Sequence, residues 1–160
     1  MPDARLYDTD FYAWTQEQAA ALRRMAEARV NTELDLENLA EAIEDMGGSD
    51  LRALESDLVR VIEHLLKLEY SPAADPRRKW MLSTVEHRGR AQREIRRSGT
   101  LRRMLPELLP DAWKSARKVA GKAMELFDGF DPSILPAECP YTLEQILDDD
   151  HWPASRHGLG

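Results

Sequence analysis

DLRALESDLVRVIEHLLKLEY, Asp50 to Tyr70, is the stretch whose reading decides the fold. Leu51, Leu54, Leu58, Val61, Ile62, Leu65 and Leu68 recur at intervals of three and four, which places them on one face of a helix. The stripe is nearly heptad and suits packing against antiparallel neighbours. Strand-like alternation is nearly absent elsewhere, so the expected class is all-α.

Toward the N-terminus, a helix is expected from about Asp10 to Arg29. Asp8, Thr9 and Asp10 would cap its entry, and Phe11, Trp14, Gln18, Leu22 and Met25 would form its inner stripe. A second helix, about Leu34 to Met46, would bury Leu36, Leu39, Ala40, Ile43 and Met46. Gly47 and Gly48 read as its stop, and Ser49 as the cap of the Asp50 to Tyr70 helix. Toward the C-terminus, a connection from Ser71 to Pro76 leads to a fourth helix ending near Ser98. Its inner face holds Trp80, Met81, Thr84, Val85, Ala91 and Ile95. A fifth helical region lies between Thr100 and Phe127, where Pro106 and Pro110 must occupy a first turn or cause a kink. After the loop Gly129 to Pro140, Thr142 and Gln145 form a capping box for a short helix, Leu143 to Asp148, and the last residues should fray.

Short connections between long helices imply antiparallel neighbours. The expected architecture is an up-and-down bundle of four to five helices with a short C-terminal helix and tail. It forms a single domain over residues 1–160, with 1–128 as bundle core and 129–160 as loop, short helix and tail packed on the bundle. A chain of 160 residues can bury a sizeable core without staples. No apolar run approaches the roughly 18 to 20 residues that span a bilayer, so no membrane role is expected. The first ten residues, MPDARLYDTD, carry no secretory pattern, and Cys139 is the only cysteine; a reducing, cytoplasmic setting is the expectation.

Charge is unevenly laid out. Residues 1–70 hold 7 Lys/Arg against 16 Asp/Glu, residues 77–103 hold 10 against 2, and residues 104–160 hold 5 against 10. The formal net charge of −7 therefore conceals one strongly cationic helix. Such a helix either pairs with acidic helices of its own chain or offers its charge to an anionic partner.

Four stretches, YDTDFYAWTQEQAAALR (Tyr7 to Arg23), ELDLENLAEAIEDMG (Glu33 to Gly47), HLLKLEYSP (His64 to Pro72) and CPYTLEQILDDDHWP (Cys139 to Pro153), together with Trp80, resemble the bacterial family catalogued as domain of unknown function 29. The resemblance covers nearly the full chain in order. It implies an all-helical protein and supplies no catalytic residues.

Three constellations are candidates for function. Asn38, Glu41, Glu44 and His64 place carboxylates and an imidazole on neighbouring helices, the ingredients of a divalent-metal site in a hydrolase. No Glu-x-x-His or His-Glu-x-x-His motif supports them, and the bland alternative is a solvated acidic face with a packed histidine. Arg90, Arg93, Arg96 and Arg97 form a basic arc able to meet nucleic-acid phosphates, although no aromatic residue interleaves with that arc and stacking on single strands has no expected platform. Arg88 falls within the apolar arc of the same helix and is expected to form a structural ion pair with Glu41 or Glu44. No Gly-x-Ser-x-Gly elbow, phosphate-cradling glycine loop or side-chain dyad is present, so no catalytic residue and no cofactor is assigned. Trp152 lies beyond the last expected helix and needs a surface on which to dock.

The function expected first is a noncatalytic helical module acting through protein contacts, with a protein partner or a second copy as its target. A nucleic-acid-associated protein using the fourth helix and a metal-dependent hydrolase are the alternatives.

Overall fold

The structure, a computed structural model, describes residues 5–160. Its helices are α1 (Leu6–Thr9), α2 (Phe11–Glu27), α3 (Leu36–Tyr70), α4 (Arg77–Arg97), α5 (Gly99–Asp128) and α6 (Leu143–Leu147), with a 3-10 turn at Pro132–Ile134. Among the described residues the single trace of β pairing is an isolated bridge between Asp10 and Ser98. The protein is all-helical, as the spacing of its apolar residues implies.

Contacts divide the chain into two compact units. One comprises the chain up to Ala53 with Arg93–Met104, the other Leu54–Gln92 with Leu105–Gly160. In the first unit the core is thin and holds several small residues: Ala19, Thr15 and Ala40 are buried, as are Leu36 and Leu101. Small side chains let α2 and α3 approach closely. Gly47, expected to end a helix, lies inside α3. A Cβ there would sit closer than 3.0 Å to Thr15 Oγ1 and 3.2 Å from Thr15 Cβ. The glycine is therefore required by close approach and not by a turn, and the expected second and third helices are one. Leu39 and Met46, expected inside, are 37% and 49% exposed. The buried line of α2 likewise runs through Thr15 and Ala19, while Met25 is exposed.

Asp10 ties this unit together. Its Oδ1 accepts from the Ala13 amide (3.2 Å) and the Ser98 hydroxyl (2.6 Å), and its Oδ2 from the Thr100 amide (3.0 Å) and hydroxyl (2.7 Å). One carboxylate thus caps α2 and the start of α5. Burial pushes its pKa up, but these hydrogen bonds outweigh burial and hold the carboxyl below the ordinary carboxylate range.

The second unit holds the larger core. Leu54, Leu58, Val61, Ile62, Leu65 and Leu68 of the deciding stripe are fully or almost fully buried, joined by Leu105, Trp113, Ala116, Met124 and Ile146. α5 runs through Pro106 and Pro110, neither of them in the first turn. Each proline lacks an amide hydrogen, so the carbonyls of Arg102 and Pro106 lose their helical donors. The capping box at Thr142 and Gln145 is present and opens α6.

The C-terminal segment does not fray. The Arg156 amide donates to Glu69 O (2.9 Å) and its Nε to Glu69 Oε2 (2.9 Å), His157 Nε2 lies 2.9 Å from Tyr70 O, and Arg77 Nε donates to Gly160 O (3.3 Å). No described helix is long and apolar enough to cross a membrane.

Candidate functional site

Arg88 is fully buried in the second unit and meets neither Glu41 nor Glu44. Its Nε donates to Ile146 O (2.8 Å), and Nη2 donates to Gln145 O (3.0 Å) and His151 O (2.9 Å). The reason is the end of α6. Its last carbonyls have no helical donors and carry the negative end of the helix dipole, so a guanidinium is held there through Nε and Nη2 without a carboxylate partner, while its buried Nη1 has no hydrogen-bond partner among the described residues. Burial lowers the Arg88 pKa, opposed by the charges of Asp149 and Asp148. The ring of Trp152 docks 5.0 Å from this guanidinium, which accounts for the aromatic beyond the last helix. Gln92 reinforces the same junction by donating to Leu147 O at 2.8 Å.

The expected metal ligands are each engaged or exposed. Asn38 donates through Nδ2 to Asp35 Oδ2 (2.6 Å), and Asp35 Oδ1 accepts from its amide (3.2 Å). Glu44 is paired with Arg23 of α2. Glu41 is exposed in an open hollow with Arg23, Ala26, Glu27 and Glu37. The imidazole Nδ1 of His64 lies 2.7 Å from Arg60 O, and burial depresses its pKa, which favours the neutral ring. Among the described residues no three His, Cys, Asp or Glu side chains gather to hold a metal ion. The neighbouring acids of α3 are satisfied too. Buried Glu63 accepts from Arg60 (2.9 Å) and Lys67 (3.0 Å), and Asp57 lies 2.7 Å from His87 Nδ1.

The basic arc stands exposed. Arg90 in the second unit and Arg93, Arg96 and Arg97 in the first all face solvent, and among the described residues no ion pair holds any of them. The aromatic contact missing from their own helix comes from another: the Arg97 guanidinium lies 5.3 Å over the ring of Phe11. Tyr7 meets Phe11 and Trp14 edge-on at 5.5 and 4.9 Å, and Phe11 stacks on Trp14 at 5.6 Å.

A second cationic surface, which sequence reasoning missed, lies on α5 in the second unit. Lys114, Arg117, Lys118 and Lys122 recur at three and four along one helical face. They rim an open groove of about 680 Å³ whose floor and far wall include Trp113, Gly121, Pro132 and Ala137. The wall is fixed to the helix. Arg117 donates to Pro136 O (2.9 Å) and Leu135 O (3.1 Å), and Trp113 Nε1 donates to Ala137 O (2.9 Å). A Cβ on Gly121 would lie 3.2 Å from Pro132 Cβ, so glycine lets the wall approach. Lys122 pairs with Glu125 at 3.1 Å, whereas Lys114 and Lys118 are exposed with no ion-pair partner among the described residues. Net charge hid this stripe, because residues 104–160 are acidic in total.

Four long helices, two of which, α4 and α5, carry exposed cationic side chains, define an all-helical protein. The chain belongs to the family described as Domain of unknown function DUF29, which it matches over residues 6–152. It is similar to an alpha-helical protein of unknown function from Rhodospirillum rubrum ATCC 11170, known from a crystal structure, with 27% identity and a TM-score of 0.74 over 91% of this chain and 90% of that one. No curated protein matches it.

Proposed function

We propose that the protein is a noncatalytic helical module that acts through protein contacts, self-association included, using its cationic surfaces. The observation that carries this reading is the unanswered charge. Arg90, Arg93, Arg96, Lys114 and Lys118 have no ion-pair partner among the described residues, although the chain as a whole is acidic. Surface cations left unpaired in an acidic protein set up a local positive field that steers and orients an acidic partner.

Light scattering tests it. A mass above the 18.3 kDa of one chain at moderate salt, falling toward it at high salt, is the expected result. A monomer under both conditions, with no acidic protein retained by the immobilised chain, overturns the reading.

A second reading is favoured by the Arg97 and Phe11 contact. Cationic and aromatic side chains side by side are what single-stranded nucleic acid uses, phosphates on arginine and bases on rings. A salt-dependent gel shift with single-stranded DNA or RNA, lost in R93A/R97A, supports it. No shift at low salt excludes it.

A further inference from the structure

We propose that the groove on α5 receives the α2–α3 connection of a second copy of this chain, joining copies head to tail. This rests on the self-association reading above and names its surfaces. The groove offers an apolar floor at Trp113 and Pro132 between exposed ammonium groups, Lys114 and Lys118. Its occupant must therefore be convex, apolar at the tip and acidic at the flanks.

The connection has that composition. Leu34 is 57% exposed and Val30 44% exposed, large apolar side chains held out on a loop. Glu33, Asp35 and Glu37 flank Leu34, and no Lys or Arg occurs from Val30 to Leu39. The loop is also shaped in advance. Arg29 ends α2 at φ 53, and the Val30 amide donates to Met25 O at 3.1 Å. Thr32 Oγ1 accepts from the Leu34 amide at 3.2 Å, and Asp35 caps the start of α3. A shaped loop loses little freedom on docking, so more of the contact energy survives as affinity.

Charge also predicts the salt profile. Copies of net charge −7 repel at long range, while the loop and groove attract at contact. At about 0.1 M salt the Debye length is about 10 Å, which screens the former more than the latter. Association should therefore peak near that ionic strength and weaken toward about 1 M. Because loop and groove are different surfaces, the contact is heterologous and can propagate into a ring or a chain.

The test uses two variants of the full chain, K114E/K118E with a disabled groove and E33Q/L34N/E37Q with a disabled loop, each confirmed as folded by circular dichroism. Each alone should associate at least about tenfold more weakly than wild type in light scattering. An equimolar mixture retains one intact groove and one intact loop, so it should form a 1:1 pair and stop there. Wild-type association by either variant, or a mixture that stays monomeric, overturns the proposal while leaving the module reading standing. A wild-type chain that is itself monomeric at both salts overturns the proposal, and overturns the module reading as well when the immobilised chain retains no acidic protein.

Discussion

Two neighbouring glycines in the middle of α3 should respond oppositely to the same substitution. In an ordinary helix interior, Gly→Ala gains about 0.5–1 kcal/mol because alanine loses less backbone freedom. Gly48→Ala should show that gain. The nearest atom to its new Cβ is Arg52 Nη1 at 3.1 Å, the far end of an exposed, flexible side chain that can swing aside. Gly47→Ala should show the reverse, because its new Cβ falls on Thr15 Oγ1. Thr15 has no exposure, and its hydroxyl is held by a 2.6 Å hydrogen bond to Tyr12 O, so it cannot yield without moving α2. Overpacking of this kind costs about 1–3 kcal/mol, which exceeds the propensity gain and leaves a net loss of about 1–2 kcal/mol.

For a chain of this length each kcal/mol is worth about 2–4 °C in melting temperature. Gly47→Ala should melt about 3–6 °C below wild type and Gly48→Ala about 1–3 °C above it, by thermal and urea denaturation followed by circular dichroism. The cause is isolated by a double-mutant cycle. Thr15→Ala removes the colliding oxygen, so it should cost about 1 kcal/mol less in the Gly47→Ala background than alone. A Gly47→Ala variant as stable as wild type, or additivity of the two substitutions, would refute the claim that Gly47 exists for helix approach.

Arg88→Ala should cost about 3 kcal/mol, since it orphans three carbonyls that the guanidinium now satisfies. Hydrogen exchange should accelerate first over residues 143–152, and exchange unchanged there would count against the role assigned to Arg88. Asp10→Ala removes the cap of two helices and should cost about 2 kcal/mol in urea denaturation, whereas a cost below a few tenths would mean that the caps are redundant. The pH dependence follows from the same carboxylate. Its folded pKa is depressed, so the unfolded chain binds the proton first as pH falls, and the contribution is whole above about pH 4 and lost below it; Asp10→Asn should flatten that acid limb. His64 acts in a higher window. Its folded pKa is also lowered, so stability should decline as pH falls below about 6.5, and His64→Gln should remove part of that decline in melts from pH 7.5 to 5.5.

The helices were legible because burial on a helix imposes a period of three to four, and the stripe from Leu54 to Leu68 carries it undiluted. Gly47 reads as a helix stop for a physical reason. A glycine that ends a helix and a glycine that admits a neighbour look the same in one dimension, and only the position of Thr15 on another helix tells them apart. Arg88 was half legible. Its place in an apolar arc announced a buried charge, but its acceptors are main-chain carbonyls, which leave no mark in side-chain composition. Composition alone therefore points to Glu41 and Glu44, which Arg88 does not meet.

The same reasoning explains why the groove escaped notice. Charge totals describe a segment, whereas recognition depends on a face, and Lys114 and Lys118 share a face while most acids of their segment lie beyond the helix, from Asp131 onward. A buried cation and an exposed one also play different parts in this chain. Arg88 is buried and closes the end of α6 through Nε and Nη2, and Arg117 is spent on the wall of its groove. Lys114 and Lys118, with Arg90, Arg93, Arg96 and Arg97 of α4, are exposed and fix no main-chain segment. On the proposed reading, substitutions on these exposed cationic faces should alter association while leaving the melting temperature within about 1–2 °C of wild type, since exposed charges away from caps and cores change stability by less than about 0.5 kcal/mol.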